Sequence, residues 1–345
     1  MILHDRLPRR PMTDYGIQIP IMGSNAMRTI EHLLEDPYLA ETRDSWLFEE
    51  EISPVSAEAI RRVHDDEYVN RLLSSPRGPD GPCEGEMQRT FELVNDDGTY
   101  HRYDPDSAKY GLCELRNQSL RLAGGTSRGA ELALSSPEKF CFYLGGGMHH
   151  GQYRWGEGFC PVNDLVIAVR SLQAAERIKT AWVIDVDAHK GDGTAALTAE
   201  DDTIQTVSVH MAQGWPMDQP QTLADGAPNP SFVPSTIDVP IASGEESEYL
   251  PRLTAAMDEM ERLFRLPDFV LVVDGADPYE RDQLPSTELL KMTGDQLFER
   301  DVYLYRWVRE RDIPSLFVMA GNYGYHSWEV YTRFLAAQIR GDLEV

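Results

Sequence analysis

Asp185, Asp187 and His189 stand at alternate positions where the apolar run 181–187 gives way to Lys190-Gly191-Asp192-Gly193. In extended chain a period of two puts all three on one face. Unpaired charges buried there would each cost several kcal/mol, so they must bind a metal or one another. A second apolar run, 269–274, ends in Gly275-Ala276-Asp277-Pro278 and brings another carboxylate to an equivalent strand end. Asp187, His189 and Asp277 thus make a three-ligand set that leaves a coordination position for water and substrate, the arrangement of a catalytic metal rather than a structural one. Zinc is the expected ion, although an oxygen-rich set of this kind also accepts iron(II), cobalt or manganese.

Two adjacent histidines, His149 and His150, follow the glycines of Leu144-Gly-Gly-Gly-Met-His-His-Gly151. Glycine frees the backbone so that both imidazoles can reach a common site, where they suit proton transfer near neutral pH. Asp185 and Asp192 are then expected on the far ring nitrogens, fixing tautomer and basicity. Phe159, in Gly156-Glu-Gly-Phe-Cys-Pro-Val-Asn-Asp164, and Trp215 are candidates to line a narrow slot. Tyr323 and Tyr325 leave a strand near the C-terminus, and either hydroxyl can serve an oxyanion.

The elements that must position these groups are short β-branched or aromatic runs alternating with amphipathic stretches, the pattern of strands buried between helices in an α/β fold. Strands are expected at 140–144, 181–187, 203–210, 269–274 and 315–319, and helices at 56–73, 114–134, 162–175, 246–264, 293–311 and 327–340. The polar residues collect at strand ends, and an open parallel sheet binds ligands beyond the carboxyl ends of its strands. The stretch 74–106, with Pro76, Pro79, Pro82 and the turn signal Asn95-Asp96-Asp97-Gly98, reads as a surface loop or hairpin insertion that is either tolerated or shapes a site mouth. No linker interrupts the 345 residues, so residues 1–345 are expected to form one domain.

Acidic residues number 57 against 32 basic ones, a formal net charge of -25 that disfavours nucleic acid and attracts cations. The 4 cysteines, Cys83, Cys113, Cys141 and Cys160, show no paired spacing, which argues against a cysteine metal site or a disulfide framework and fits a reducing compartment. Residues 1–10 carry charges and prolines where a signal peptide needs an apolar stretch, and no run approaches the ~18 apolar residues of a membrane span. A cytoplasmic protein without a membrane partner is expected.

Taken in order, these stretches resemble the histone deacetylase superfamily, which also holds bacterial acetoin-utilization proteins and acetylpolyamine amidohydrolases and shares its fold with arginase. The resemblance spans about residues 55 to 325. It runs from Ile60-Arg-Arg-Val-His-Asp-Asp-Glu-Tyr68, similar to the family's His-x-x-x-Tyr helix, through the tandem His, Gly-Phe-Cys-x-Val-Asn-Asp, Asp-x-Asp-x-His-x-Gly-Asp-Gly and Val-Ser-x-His to Gly-x-Asp-Pro. It implies a three-layer α/β/α domain with a mainly parallel sheet and one zinc on Asp187, His189 and Asp277. His150 would be the general base and acid, and His149 its electrostatic partner. Asp185 would orient His149, and Asp192 would orient His150. Phe159 and Trp215 would wall the acyl-lysine slot, with Gly158 accepting a hydrogen bond from the substrate amide. A structural potassium ion would use Asp185, Asp187, His189 and Ser208.

Ala320-Gly321-Asn322-Tyr323 is the register closest to the family's oxyanion tyrosine, which follows two glycines; Asn322 in place of the second glycine keeps Tyr325 as the alternative. The internal-channel arginine has no match in register, Arg28 being nearest, and the acidic rim residue is Asp104 or Asp106. Polyamine-selective members can carry a glutamate seven residues after the last metal aspartate, where this chain has Leu284. The implied function is a zinc-dependent amidohydrolase that removes acetyl or other acyl groups from an amine, the lysine side chain first, with an acetylpolyamine or other small amide as the alternative substrate. An arginase-like ureohydrolase would need more carboxylates beside Asp277 for a second metal. A non-catalytic acyl-lysine binder would lack a ligand, a histidine or the tyrosine. Homo-oligomers are compatible with all of these readings.

Overall fold

The computed structural model describes residues 1–19, 21, 23–75, 81–217 and 219–343. Eight strands form one sheet: β1 (Ile2–Asp5), β2 (Leu47–Glu50), β3 (Phe140–Tyr143), β4 (Ala181–Asp185), β5 (Ile204–Met211), β6 (Ile237–Ile241), β7 (Phe269–Asp274) and β8 (Ser315–Met319). Their order is β2-β1-β3-β8-β7-β4-β5-β6 and every pairing is parallel. The central strands are buried along their whole length, as a sheet covered on both faces requires. On one face Ile184, Val207, Val272 and Phe317 pack with Tyr331 and Phe334. On the other, Val183, Leu271, Val273 and Leu316 pack with Leu165 and Ile167. The architecture is the three-layer α/β fold of the arginase and deacetylase type.

The five predicted strands are present, each within two residues at its ends. Three further strands, β1, β2 and β6, have no clear mark in the sequence. β2 and β6 are the two edges of the sheet, where burial relaxes and the apolar signal fades: β2 ends in Glu49 and Glu50, and β6 contains Asp238 and Pro240. Edge strands tolerate both. β1 is buried throughout, but only Ile2 and Leu3 of its four residues are apolar, too short a run to stand out.

Ladder pairing in β4 stops at Asp185 rather than at the predicted Asp187. The alternation nevertheless continues, with Trp182, Ile184, Val186 and Ala188 in one core layer and Asp185, Asp187 and His189 turned from it. The predicted helix 56–73 is two helices, Ala57–Arg61 and Asp66–Leu72. The Asp65 carboxylate caps the second, accepting from the Glu67 and Tyr68 N–H groups at 3.0 and 3.2 Å, and the chain must break there to let it. His64 is left in the gap. Its Nδ1–H donates to the Gln152 carbonyl at 2.8 Å and its Nε2 accepts from the Asn163 N–H at 3.0 Å. Burial lowers its pKa to about 4, so the ring stays neutral in this tautomer. With the Tyr68 hydroxyl on the Pro161 carbonyl, the His-x-x-x-Tyr element braces the loop that follows the tandem histidines.

Residues 76–80 of the expected surface excursion lie outside the described residues. The rest divides in two. Helix Pro82–Thr90 buries Cys83 and Met87, and Phe91 and Leu93 continue into the core. Beyond them Val94 bridges Tyr100 across the predicted turn, which Gly98 closes at φ 82°.

Helix Leu112–Ser135 crosses the back of the sheet with Gly125 against the ring of Tyr143, where a Cβ would lie 2.0 Å from Cζ. Gly125→Ala is therefore expected to destabilise the fold by about 1–3 kcal/mol, overpacking outweighing the gain in helix propensity. Denaturant unfolding measures this, and an unchanged midpoint would mean that the helix shifts freely on the sheet.

Candidate active site

Asp187 and His189 lie on the loop that leaves β4, and Asp277 on the loop that leaves β7, adjacent strands paired from Ala181–Phe269 to Asp185–Val273. Ladder pairing ends there, with the Val186 N–H donating to the Val273 carbonyl at 3.1 Å. Arg300 joins the two loops from helix Gly294–Glu310, its Nη1 donating to the carbonyls of Val186 at 3.0 Å and Gly275 at 2.9 Å and its Nη2 to Asp274 Oδ1 at 2.6 Å. Sequence reasoning missed this fully buried arginine, because in a helix rich in charge it looks like one more solvated side chain.

Asp187, His189 and Asp277 each offer one ligand atom, all within 4.8 Å of one another. His189 Nδ1 is 3.1 Å from Asp187 Oδ1 and 3.0 Å from Asp277 Oδ2. The other oxygens are held by backbone: Asp187 Oδ2 accepts from the Gly321 N–H and Asp277 Oδ1 from the Ala188 N–H, both at 2.9 Å. A Cβ on Gly275 or Gly321 would come within 2.6 or 2.5 Å of Asp187 Oδ2, so both glycines are needed for the carboxylates to converge. Asp277 Oδ2 is buried, with His189 Nδ1 as its partner. Burial and then the charge of Asp187 raise the Asp277 pKa to about 7, while the two carboxylates lift His189 to about 10 against the pull of burial. Two buried carboxylates and an imidazole nitrogen converge on one point, a donor set that fits a divalent cation. With Nδ1 committed inward, Nε2 faces Ser286 Oγ at 3.0 Å, a partner that fixes the ring and that the sequence did not reveal.

The tandem histidines differ in environment. His149 Nδ1 lies 2.7 Å from Asp185 Oδ2, and Asp185 with Asp187 lifts its pKa to about 9 although burial opposes the charge. His150 Nδ1 lies 2.6 Å from Asp192 Oδ1, but burial and then the charges of His149 and His189 push its pKa well below the ordinary value. One ring is thus a cation and the other a neutral base, 3.9 Å apart between centroids. Both carboxylate partners are those expected from the sequence. Asp185 also faces Ser208 across the β4–β5 register.

His150, His189, Gly158, Phe159, Trp215, Leu284, Ser286 and Tyr323 open on one cavity of about 290 Å³. His149 does not line it. The Trp215 ring stands edge-on to His150 at 4.4 Å, and Phe159 is backed by Phe91 at 5.6 Å. A Cβ on Gly158 would meet the Trp215 ring at 2.3 Å and the His150 ring at 2.6 Å, so only glycine lets the wall close. The Gly158 carbonyl already accepts from the Cys160 thiol at 3.2 Å.

The two tyrosines separate clearly. Tyr323 faces the cavity, while Tyr325 is 49% exposed under the Arg28 guanidinium, 3.5 Å from its ring centroid. The Tyr323 loop is held by Asp282 Oδ2, which accepts from the Tyr323 and Gly324 N–H groups at 2.8 Å each, and by the Asn25 amide, which donates to the Asn322 and Gly324 carbonyls at 3.1 Å each. Asn322 fits the register because its side chain folds back on the Ala320 carbonyl and meets Asn25.

Two sequence expectations move. A second, smaller cavity behind Phe159 and Tyr323 is lined by Arg9, whose guanidinium donates to the Leu144 carbonyl; Arg28 is spent on Tyr325. Nothing local in the sequence marks Arg9, which meets the Leu144 carbonyl 135 residues further along the chain. At the cavity mouth the charged residues are Glu92 and Arg102 rather than Asp104 or Asp106, since Asp104 caps its own turn by accepting from the Asp106 N–H.

A family model described as "Histone deacetylase domain" matches residues 23–340. Among curated proteins, the chain is 28% identical over 246 residues to the acetoin utilization protein AcuC of Staphylococcus aureus, covering 67% of this chain and 60% of that protein. It is 28% identical over 200 residues to histone deacetylase 2 of Arabidopsis thaliana, covering 58% of this chain and 48% of the relative. An uncharacterized protein of Picosynechococcus is 28% identical over 207 residues. The match thus spans about half to three-fifths of the first two relatives' lengths. With the family model covering nearly the whole chain, the protein belongs to the histone deacetylase domain family.

Proposed function

We propose that this chain is a metal-dependent amidohydrolase that removes an acyl group from an amine, with the lysine side chain as the favoured amine. The observation that carries the reading is that His189 of the three-ligand cluster, the His150 imidazole and the half-buried Tyr323 open on one narrow aromatic cavity. A divalent cation, zinc first, held by Asp187, His189 and Asp277 would polarise the amide carbonyl and acidify a water molecule.

The side chains carry the rest. An apolar methylene chain suits the space between Phe159 and Trp215 and sets the amide beside His150. His150, with Nδ1–H held by Asp192, offers a free Nε2 that takes a proton from the attacking water and returns it to the departing nitrogen. The His149 charge keeps His150 from being protonated beforehand. Tyr323, whose hydroxyl is kept protonated by burial and then by the Asp187 and Asp277 charges, donates to the oxyanion. Amide and water leave as carboxylic acid and amine. Asp185 and Ser208, opposite one another in the sheet, are the side chains we assign to a structural potassium ion.

Leu284, 5% exposed, offers no charge to a polyamine, which favours the lysine reading over the acetylpolyamine alternative. One ligand cluster among the described residues supports one catalytic metal rather than the pair of a ureohydrolase. Four free, buried cysteines suit a reducing, cytoplasmic setting. The test is acetate release by the zinc-loaded protein from an acetyl-lysine peptide, an acetylated diamine and a longer acyl-lysine. Turnover of either lysine substrate is expected; preference for the diamine would move the function to the alternative, and no turnover of any would remove the reading.

A further inference from the structure

Among the described residues, six that are not glycine hold a positive φ, and three of them, Glu92 (54°), Arg102 (50°) and Phe159 (66°), line the same cavity. L-residues rarely occupy that region, and such conformations persist where the surrounding structure enforces them. Here the enforcement is visible. The Phe159 N–H donates to the Thr90 carbonyl at 3.0 Å, the His101 N–H to the Leu93 carbonyl at 2.9 Å, and the Gln18 N–H to the Arg102 carbonyl at 2.9 Å. The aromatic wall and the two ends of the hairpin are therefore one braced unit that delivers a carboxylate and a guanidinium to the mouth.

Those two groups form only a loose ion pair. Arg102 Nη2 and Glu92 Oε2 stand 3.5 Å apart, longer than a charge-assisted hydrogen bond, with side chains 37% and 44% exposed, so each keeps capacity for a ligand. The buried Arg102 Nε has no acceptor among the described residues. The cavity below them, about 290 Å³, is sized for one small molecule.

Resting on the deacylase reading above, we propose that the preferred substrate is a free ω-N-acylated amino acid such as Nε-acetyl-lysine, its α-ammonium on Glu92 and its α-carboxylate on Arg102. One anion and one cation at the mouth complement a zwitterion. An acetylated diamine would set its second ammonium beside Arg102, and a lysine within a peptide has no charges on its α-groups to satisfy either side chain.

The experiment compares kcat/KM of the zinc-loaded protein for Nε-acetyl-lysine, its Nα-acetyl, C-amidated counterpart and N-acetylputrescine, in the wild type, Glu92→Gln and Arg102→Gln. The free amino acid is expected to lead the capped form by about tenfold or more. Each variant should erase most of that lead through KM with kcat nearly unchanged, because contacts remote from the reacting bond stabilise ground and transition states alike. Arg102→Glu should shift preference toward N-acetylputrescine. Equal turnover of free and capped forms, a wild type that prefers the diamine, or variants that leave the ratio unmoved would overturn the proposal while leaving the deacylase reading in place. No turnover of any substrate would overturn both.

Discussion

Asp277→Asn is expected to abolish tight binding of a divalent cation and to cut amide hydrolysis about a thousandfold or more. The substitution keeps size and the oxygen that accepts from the Ala188 N–H, but it removes the buried charge that faces the His189 ring nitrogen at 3.0 Å. Cation competition by a chelator and the visible spectrum of the cobalt-loaded protein report the site without reference to activity. In the wild type, binding must displace the proton that Asp187 and Asp277 hold on His189, so affinity falls as pH falls, and falls more steeply below about 7, where Asp277 also takes up a proton. A variant that still binds cobalt with the wild-type spectrum would remove Asp277 from the ligand set.

Tyr323→Phe is expected to lower kcat by about two to three orders of magnitude, the usual consequence of removing one donor to an oxyanion, with little change in KM. Tyr325→Phe should leave both close to wild type, since its ring is engaged outside the cavity by Arg28. The pair separates hydroxyl chemistry from loop disturbance, because the anchors, Asp282 and Asn25, bind backbone and are untouched by either change. Equal losses in both variants, or none in Tyr323→Phe, would remove the oxyanion role from Tyr323.

The α/β class and the five central strands were legible in the residues, because each rests on local rules: complete burial makes a strand an apolar run, and a period of two fixes which residues share a face. Ionisable residues at the end of such a run must be paired, and that requirement named the metal candidates before any fold was known. The pairing of Asp185 with His149 and of Asp192 with His150 was implied by the family resemblance, and the fold brings those residues within 2.7 and 2.6 Å. Tertiary structure alone decided what depends on distant segments meeting. The choice between Tyr323 and Tyr325 is made by Asn25 and Asp282, about 300 and 40 residues away along the chain. Arg9 reaches the inner cavity, and Glu92 and Arg102 the mouth, through backbone conformations that no residue pattern announces. Arg300 holds the ligand loops just beyond the point where ladder pairing of β4 and β7 ends, by donating to the Val186 and Gly275 carbonyls. Edge strands were illegible for the converse reason. Half-exposed positions accept charge and proline, so burial, the signal that marks a strand, is weakest there.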